Sequence, residues 1–378
     1  MNSKKPKIAL IHDWLNVKVG GAEYVFFELA KLYPEADLFA LVCNKKLFRP
    51  HLAGRKVHTS FLQILPGFVK RRPFLMLPLV KLAVGSFKLR GYDLVVTNST
   101  AWVKNVTVAK GTKHICYCHS PARMIWDSWP VYLDSQHMGP FRLGPVSRFV
   151  ITAIVSRLRL WDYYAAKNID VFLANSRYIA SRIQKTYGRS AEVLYPPVQL
   201  LQKPEQEDKR GDYYLILSVL SRYKNIELAI EACKTSGREL IIAGEGPDKE
   251  RLEILARGNK SISFVGYVSP ERRTQLMSQA KGFLFPSIED FGMTPVEAMS
   301  VGTPVIALRG GGLAETVIEG KTGLFFETAS VDNLNEALTR FESIAWQPTV
   351  IIHQAEQFGP RIFEEHLSQI IHTAGVLI

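Results

Sequence analysis

Short apolar runs alternate with helical patterns along most of this chain. Runs of about four to eight apolar residues bounded by turn residues are typical of buried strands, and amphipathic helical segments follow them here. The alternation predicts an α/β fold with parallel, doubly wound sheets. Strands are predicted at 7–12, 38–42, 93–97, 114–118, 171–174 and 191–195 in the first half, and at 213–219, 239–243, 262–265, 282–285 and 304–307 in the second.

A polar stretch after the sixth predicted strand divides the chain into two domains. Tyr195-Pro-Pro-Val198 precedes residues 199–211, which are rich in Gln, Glu, Lys and Asp and predict a linker. With 378 residues, of which 47% are apolar, the chain is long enough to bury a core in each domain. We therefore expect domains at 1–196 and 197–359, followed by a final helical segment at 360–378.

The stretch 285–307 places two acids and a glycine turn between two apolar strand patterns. Glu289 is expected in the loop after the first strand and Glu297 in the first turn of the next helix, at the sheet edge where ligands bind. The amides of 292–294 lie at the start of that helix, where an anion is favoured. Amides that hold a phosphate, with carboxylates accepting bonds from hydroxyls on either side, describe a nucleotide-sugar site.

The same residues also have a purely structural interpretation. Thr294-Pro-Val-Glu297 fits a capping box with Pro295 at the first helical position. In that interpretation the Glu297 carboxylate satisfies only backbone donors of its own helix, and it has no role toward a ligand.

Three more loops that follow predicted strands carry candidate chemistry. Gly20 and Gly21 follow the first strand, and they either let a ligand approach the backbone or form a plain tight turn. His119 follows the fourth strand, where a lone histidine is either a ligand contact or a structural residue. Arg222 and Lys224 follow the first strand of the second domain, and two cations there suit a diphosphate. No GxGxxG dinucleotide fingerprint is present.

One segment closely resembles a known family. Glu289-Asp-Phe-Gly-Met-Thr-Pro-Val-Glu297, followed by Ala-Met-Ser-Val-Gly-Thr-Pro-Val-Ile-Ala307, resembles the Glu-x7-Glu segment of retaining GT-B glycosyltransferases of family four, the glycosyl transferases group 1. Ile-Cys-Tyr-Cys-His119-Ser-Pro-Ala-Arg-Met-Ile-Trp-Asp is similar to that family's sugar-contacting histidine motif. The resemblance, to the bacterial polysaccharide type, implies two facing Rossmann-like domains with the donor mostly on the second and the C-terminal helix crossing back to the first.

The resemblance also implies roles for individual residues. Its catalytic residues would be His119, Glu289 and Lys224. Its donor-binding residues would be Gly20, Gly21, Arg222, Lys224, Gly244, Val268, Glu289, Phe291, Gly292, Met293, Thr294 and Glu297. The family's diphosphate-binding arginine does not match, because Val219 stands at its position and Arg222 follows three residues later.

The resemblance implies that a hexose, glucose or mannose, moves from a nucleoside-diphosphate sugar to a saccharide or lipid-linked acceptor in polysaccharide biosynthesis, with retained anomeric configuration. The nucleotide sugar, UDP-glucose or GDP-mannose, would be a co-substrate. No cofactor or metal is expected, since the chain has no evident DxD pair. A nucleotide-sugar epimerase of the same fold and a non-catalytic nucleotide-sugar-binding scaffold protein fit the same residues.

Charge is distributed unevenly along the chain. Residues 1–200 carry a net charge of +18 and residues 201–378 carry −6, which indicates an anionic partner for the first half. Segments 61–90 and 143–160 combine apolar residues with cations, which suits helices at an anionic membrane surface. Core helices with cationic flanks are the alternative. Nucleic acid is not an expected partner, because no recognised binding module is apparent.

Cysteine use and the N-terminal pattern indicate the compartment. The cysteines are Cys43, Cys116, Cys118 and Cys233. They form no CxxC pair, which favours a reducing cytosol as the compartment. The N-terminus lacks the pattern of a signal peptide, and no apolar window is long enough to span a membrane. We therefore expect a cytoplasmic protein that is peripheral on the inner face of the membrane.

Overall fold

The computed structural model describes residues 5–16, 19–70, 73–127, 145–202 and 210–375. The chain divides into two compact units, Met1–Tyr195 with Glu364–Ile378, and Pro196–Phe363. This division falls one residue before the predicted boundary between 196 and 197. The return to the first unit begins at Glu364, inside the final helix, rather than at residue 360.

Some predicted features lie outside the described residues. They are part of the first loop at 17–18, the cations Arg71 and Arg72, the start of the second cationic segment with Arg142 and Leu143, and most of the linker at 203–209.

A parallel seven-stranded sheet forms the centre of the first unit. Its strands are β1 (Ile8–Leu15), β2 (Asp37–Cys43), β3 (Val57–Thr59), β4 (Leu94–Ser99), β5 (Lys113–Cys118), β6 (Val171–Ala174) and β7 (Glu192–Val193). Their order in the sheet is β3-β2-β1-β4-β5-β6-β7. Helices cover both faces, so the central strands read as continuous apolar runs rather than as alternating ones. Leu10 of β1 is an example, since it pairs with Leu38 and with Val96 and is buried.

Four helices of eight or more residues accompany this sheet in the described part of the first unit. They are α1 (Gly21–Leu32), α2 (Leu77–Gly85), α3 (Pro145–Ala165) and α4 (Arg177–Tyr187). Both ends of α4 carry typical capping residues. The Ser176 hydroxyl accepts a hydrogen bond from the N–H of Ile179, and Gly188 ends the helix in the left-handed region at a φ of 67°. Shorter helical turns lie at 45–48, 49–52, 61–64, 67–70, 73–76, 103–105, 123–126 and 166–168.

The second unit has a parallel six-stranded sheet. Its strands are β8 (Tyr213–Leu217), β9 (Glu239–Ala243), β10 (Ile262–Gly266), β11 (Gly282–Phe285), β12 (Val305–Leu308) and β13 (Gly323–Phe326), in the order β10-β9-β8-β11-β12-β13. Its longer helices are α5 (Ile226–Ser236), α6 (Lys249–Ala256), α7 (Pro270–Gln279), α8 (Met293–Ser300), α9 (Val331–Glu342) and α10 (Pro348–Glu356), and α11 (Pro360–Thr373) begins there. Single turns lie at 222–224 and 313–316.

Both sheets confirm the predicted α/β fold with parallel, doubly wound strands. Each predicted strand has a counterpart in the structure, whereas β3 and β13 have none among the predictions. These two strands contain three and four residues and lie at the edges of their sheets.

Each sheet has one point at which the strand order reverses. In the first unit the chain moves outward from β1 to β3 and then resumes on the other side of β1 with β4. In the second it moves outward from β8 to β10 and resumes beside β8 with β11. In open α/β sheets, ligands bind beyond the carboxyl ends of the strands at such a switch point. The loops after β1, β4, β8 and β11 are therefore the places to look for chemistry.

The apolar, cationic segment 61–90 forms short helices instead of one long interfacial helix. One face of α2 belongs to the core, since Leu77, Val80 and Val84 are buried. The opposite face is open to solvent, with Leu82 65% exposed beside Lys81. The core-helix interpretation is thus correct for one side of α2, and the other side is an exposed apolar and cationic surface. In the described part of the chain, no helix has both the length and the apolar character needed to cross a membrane.

Candidate functional site

Lys224 and Glu289 meet at the switch point of the second unit. Lys224 closes the helical turn after β8, and Glu289 lies in the loop after the neighbouring strand β11. The Nζ atom of Lys224 contacts Oε1 of Glu289, and the two side chains are 12% and 24% exposed. Two predicted site residues, separated in sequence, are therefore brought together at the edge where a ligand is expected.

The loop that carries Lys224 is fixed to the end of β11. Asn225 adopts the left-handed conformation at a φ of 54°, and its Nδ2 donates to the carbonyl oxygen of Pro286 over 3.2 Å. The Lys224 ammonium also lies 5.6 Å from the centre of the Phe285 ring, within cation–π range. These contacts hold the cation against the loop that carries Glu289, so its position does not depend on the ion pair alone.

A glycine run supports the Glu289 loop from the other side. A Cβ atom on Gly311 would come within 2.0 Å of the Glu289 carbonyl oxygen, and one on Gly312 within 2.3 Å of Cα of Phe291. The N–H of Gly312 donates to the Glu289 carbonyl over 2.9 Å. The glycines of this segment thus serve close backbone packing.

Helix α8 begins earlier than predicted, and this overturns the capping-box interpretation. Met293 is the first helical residue, with Gly292 before it in the left-handed region at a φ of 88°. Thr294 is thus inside the helix, Glu297 lies in the second turn, and no side chain caps the N-terminus. Only glycine suits this entry, because a Cβ on Gly292 would lie 2.2 Å from Leu313. The first amides of α8 have no acceptor within the helix and point toward the loop of Glu289.

Glu297 faces a cation from the neighbouring helix α7. Both carboxylate oxygens lie 3.3 Å from Nη1 of Arg273, whose Nη2 reaches Gln199 at 3.3 Å. Burial raises the pKa of Glu297 to about 7, and the nearby Arg273 guanidinium offsets only part of that rise. Glu297 is therefore a desolvated carboxyl that changes charge near neutral pH, which is typical of a functional site.

Gly244 and Val268, predicted to bind the donor, lie in two loops that are joined to each other. The N–H of Gly244, after β9, donates to the carbonyl oxygen of Gly266, at the end of β10, over 2.7 Å. Gly244 has a φ of 132°, and a Cβ there would come within 1.9 Å of the Ser218 carbonyl oxygen. The requirement for glycine at 244 is thus explained by packing within the protein.

The remaining predicted residues of the second unit differ in how far their side chains are available. Phe291 is buried and its ring makes an edge-on contact with that of Phe358, so its side chain packs within the second unit. Val219 and Arg222 are both exposed at the end of β8. The charge of Arg222 is close enough to Asp248 to help lower that carboxyl's pKa, after the larger effect of Arg251.

In the first unit, the glycine loop is tied to a buried histidine. Gly20 is the N-cap of α1, and its N–H donates to Oε2 of Glu23 over 2.9 Å. The other oxygen of Glu23 lies 3.6 Å from Nε2 of His12, and this pairing lowers the pKa of Glu23 despite its burial. The φ of Gly20 is −116°, so the loop does not require glycine for its backbone angle. A diphosphate bound by the Gly20 amide would take the place of the Glu23 carboxylate.

His119 lies just after β5, as predicted, beside the switch point of the first unit. Its Nε2 is 2.7 Å from Oδ1 of Asn98, and its ring meets that of Tyr117 edge-on. Burial lowers the pKa of His119 to about 3, with help from the charge of His12. The imidazole is therefore neutral at physiological pH, and it can exchange hydrogen bonds with a hydroxyl but not supply a positive charge.

The sequence analysis did not identify several residues that shape the site loops of the two units. They are His12, Glu23, Asn98, Arg273, Gly311 and Gly312. The run of three glycines at 310–312 was a usable signal, but the partner of Glu297 on another helix had none. In the described ranges, no group of three or more His, Cys, Asp or Glu residues is arranged to hold a metal ion.

Comparison with known families agrees with the two-unit architecture. Residues 198–358 match the model of glycosyl transferases group 1, and residues 19–200 match the model of glycosyltransferase family 4. Each match covers most of one unit, and together they include every predicted residue of the candidate site.

Individual relatives are similar over different lengths. An uncharacterized glycosyltransferase of Methanocaldococcus jannaschii is 31% identical over 185 residues, which is 48% of this chain and 52% of that protein. The alpha-1,3/1,6-mannosyltransferase ALG2 of Dictyostelium discoideum is 21% identical over 389 residues, 85% of this chain and 86% of that protein. The chain thus spans about half the length of the first relative and most of the second.

Among solved structures, that of HepE from Anabaena in complex with UDP has a TM-score of 0.70 with this chain at 19% identity. The similarity covers 97% of this chain and 100% of that one. At this identity it shows the fold, namely two Rossmann-like units of the GT-B type, and not the substrate.

Proposed function

Because this chain belongs to the glycosyltransferases of group 1 and family 4, we propose that it is a retaining hexosyltransferase that uses a nucleoside-diphosphate sugar. The hexose is glucose or mannose, and the acceptor is a saccharide or a lipid-linked saccharide in polysaccharide biosynthesis. The Dictyostelium relative is named a mannosyltransferase, which supports a hexose as the sugar of the donor. The Anabaena structure holds UDP, which supports a nucleoside diphosphate as the other part of the donor. No metal or other cofactor has a part in this proposal.

The observation that carries the proposal is the Lys224–Glu289 contact beside the N-terminus of α8. A cation, a carboxylate and the first amides of a helix at one switch point supply the complementary groups that a sugar diphosphate needs. The ammonium of Lys224 and the amides of Met293 and Thr294 suit the diphosphate. When a bound phosphate takes Lys224 as its partner, the carboxylate of Glu289 becomes available to accept a hydrogen bond from a hexose hydroxyl.

These residues also support a reaction without a protein base. The acceptor oxygen forms a bond to the anomeric carbon while the bond from that carbon to the diphosphate oxygen breaks. The acceptor's proton passes to the departing phosphate on the same face, so the configuration is retained. Catalysis then consists of stabilising the negative charge that develops on the diphosphate, which preorganised Lys224 and the amides of α8 supply.

Glu297 is assigned to the ribose of the donor. Its carboxylate now faces Arg273, and a ribose hydroxyl that donates to it would add a partner to a buried, poorly solvated acid. His119 is assigned to the hexose, Gly20 and Gly21 to the diphosphate, and Gly244, Val268 and the backbone of Phe291 to the nucleotide. Val219 stands at the position of the family's arginine and carries no charge. Arg222 is therefore assigned to supply the additional positive charge.

A panel of nucleotide sugars tests the proposal. Thermal shift with UDP-glucose, GDP-mannose and the bare nucleotides identifies the donor, since a ligand at 100 times its Kd stabilises by about 2.7 kcal/mol. Incubation with that donor and a saccharide acceptor should give a product whose anomeric configuration, read by NMR, is that of the donor. Inverted product contradicts the retaining mechanism, epimerised donor supports the epimerase, and binding without turnover of any acceptor supports the scaffold.

We also propose that the first unit binds an anionic membrane surface. Its exposed apolar side chains include Ile64, Phe68, Leu82, Phe149 and Leu160, on the turns at 61–70 and on helices α2 and α3. Exposed cations accompany them at Lys81, Lys88, Arg90, Arg148 and Arg157. Helices α2 and α3 contact each other. Apolar anchors among cations suit an interface with anionic lipid, and such binding would place the protein on the cytoplasmic face.

Vesicle sedimentation tests the membrane proposal. The protein should sediment with phosphatidylglycerol vesicles and not with phosphatidylcholine vesicles, and less so at high salt. Phe149→Glu and Leu82→Glu should each weaken sedimentation, whereas Ile254→Glu, at another exposed apolar position in the second unit, should not. Equal binding to both lipids, or equal losses in all three variants, would exclude a specific anionic surface here.

A further inference from the structure

Asn98 connects His119 to the first turn of α1 through its side-chain amide. It lies near the carboxyl end of β4, the strand that borders the switch point of the first unit. Its Oδ1 is 2.7 Å from Nε2 of His119, and its Nδ2 is 2.7 Å from the carbonyl oxygen of Ala22. The side chain is buried, so both distances describe protein contacts that water does not replace.

The Ala22 contact decides which way the amide points. A backbone carbonyl oxygen only accepts hydrogen bonds, so the group 2.7 Å from it must be the NH2 and not the oxygen of Asn98. Nδ1 of His12 donates to the backbone carbonyl oxygen of Asn98 over 2.9 Å, so its 3.0 Å contact with the side-chain NH2 is no hydrogen bond and the assignment rests on Ala22. The reversed amide would place two oxygen atoms in repulsive contact. Oδ1 is therefore the atom that faces His119.

The amide orientation in turn decides the tautomer of His119. Oδ1 only accepts, so Nε2 of His119 must carry the hydrogen of the bond between them. The low pKa of His119 keeps the ring neutral, and a neutral imidazole has one hydrogen only. Nδ1 is then the unprotonated nitrogen, and it makes no hydrogen bond to another residue within the described ranges.

We propose that Asn98 is a positioning residue that holds His119 in the Nε2-protonated tautomer, so that Nδ1 is an acceptor for a hydroxyl of the hexose. The tautomer follows from contacts within the first unit, whereas the hexose as its partner rests on the proposed function. The arrangement selects a hydrogen-bond donor, which every hexose hydroxyl provides, and it disfavours a group that can only accept.

The turn that follows Asn98 is itself fixed. The carboxylate of Asp13, fully buried in β1, accepts N–H bonds from residues 100–103 at 2.7 to 2.9 Å. On the other side, Ala22 directly follows the Gly20–Gly21 loop, which Glu23 closes. The side-chain amide of Asn98 therefore connects the glycine loop to His119. A shift of the loop would move the histidine by way of this side chain.

Nitrogen NMR of protein labelled with 15N-histidine tests the tautomer without any variant. In the wild type at neutral pH, the His119 ring should show a protonated Nε2 and an unprotonated Nδ1. A protonated Nδ1, an equal mixture of tautomers, or a doubly protonated ring would overturn the inference. His119→Gln identifies the resonance.

Paired variants test the role of Asn98. Asn98→Leu keeps the approximate volume and removes both hydrogen bonds, so the tautomers of His119 should mix. Asn98→Ala removes the same two hydrogen bonds with a smaller side chain, and it takes the place of the leucine variant if that variant is unstable. Thr97→Val is the matched control, because the Thr97 hydroxyl bonds Nε2 of His114 on the same two strands at 3.0 Å. It should change the His114 signals and leave those of His119 unchanged.

Binding of UDP-glucose or GDP-mannose separates this inference from the proposed function. Asn98→Leu should weaken binding of the preferred sugar nucleotide roughly three- to tenfold, the scale of one neutral hydrogen bond, and leave binding of the bare nucleotide unchanged. If the tautomer mixes and sugar binding is unchanged, the tautomer assignment stands and the hexose contact is wrong. If the tautomer does not change in the leucine variant, Asn98 does not position His119.

Discussion

Lys224 and Glu289 form a contact across the ends of two neighbouring strands, β8 and β11, where the strand order of the second sheet reverses. A bound diphosphate competes with the Glu289 carboxylate for the same ammonium. Donor binding should therefore release Glu289 from its cation and leave it free to accept a hydrogen bond from the sugar. The pair thus couples occupation of the diphosphate position to the availability of the hexose partner.

The first prediction concerns the charge of Lys224. Lys224→Ala removes a preorganised stabiliser of the departing diphosphate and should lower kcat at least roughly a hundredfold. Steady-state rates with a saturating nucleotide sugar measure the loss. Lys321→Ala, at an exposed lysine of the same unit, serves as the control and should turn over normally. Near-normal turnover of Lys224→Ala would assign the charge to another group, with Arg222 the first to test.

The second prediction separates the two roles of the acids. Glu289→Gln should depress turnover more than it changes binding of bare UDP or GDP, because the proposed partner of Glu289 is the hexose and not the nucleotide. Loss of the carboxylate also frees Lys224, so affinity for the bare nucleotide should not fall. A large loss of bare-nucleotide affinity in this variant would place Glu289 at the nucleotide instead.

The third prediction follows from the raised pKa of Glu297. The ordinary pKa is 4.5 and the folded value is about 7, so between these values the folded protein holds a proton that the unfolded chain has released. This contribution to the free energy of unfolding is fully present below pH 4.5 and is lost as pH rises through about 7. Its size is on the order of 3 kcal/mol.

Urea titrations at several pH values measure this effect. Glu297→Gln mimics the protonated carboxyl, so its free energy of unfolding should not show the decline between pH 4.5 and 7 that the parent shows. Parallel curves for parent and variant across that range would mean that Glu297 is ionised in the folded protein, with Arg273 as a full ion-pair partner.

The fourth prediction compares two glycines with similar backbone angles. Gly311 has a φ of 60° and a Cβ there would meet the Glu289 carbonyl oxygen, whereas Gly320 has a φ of 72° and open space around it. Gly320→Ala should cost only the backbone strain, about 1 kcal/mol. Gly311→Ala should cost clearly more in thermal unfolding and should also reduce turnover, because it displaces the Glu289 loop. If the two variants lose the same stability and the same turnover, the close packing at Gly311 does not hold the Glu289 loop in place.

Most of the fold was predictable because its parallel strands are buried on both faces. Such strands give continuous apolar runs, as at β8 and β11, and the turn residues between them locate the loops. Two edge strands, β3 and β13, were not predicted. The start of α8 was misjudged by two residues because Thr294 and Pro295 carry a strong helix-start signal, while Gly292 meets a packing requirement visible only in three dimensions.

The candidate site was predictable where a residue lies in the loop after a strand, as Lys224, Glu289 and His119 do. Their partners were not predictable, because hydrogen bonds between distant segments leave no local pattern. Arg273 reaches Glu297 from another helix, and Asn98 reaches His119 from the neighbouring strand. A sequence pattern can thus place a side chain at a sheet edge, whereas the proton it carries and the charge it faces depend on the tertiary structure.

The central claim is that the donor binds on the β11–α8 segment through its two acids, and calorimetric titration of the preferred nucleotide sugar tests it most directly. Glu297→Gln should lose roughly tenfold or more in affinity for both donor and bare nucleotide, the scale of one hydrogen bond to a charged group. Glu289→Gln should lose affinity for the donor and keep that for the bare nucleotide. If both variants bind the donor as tightly as the parent, the two acids are structural and the donor site lies elsewhere.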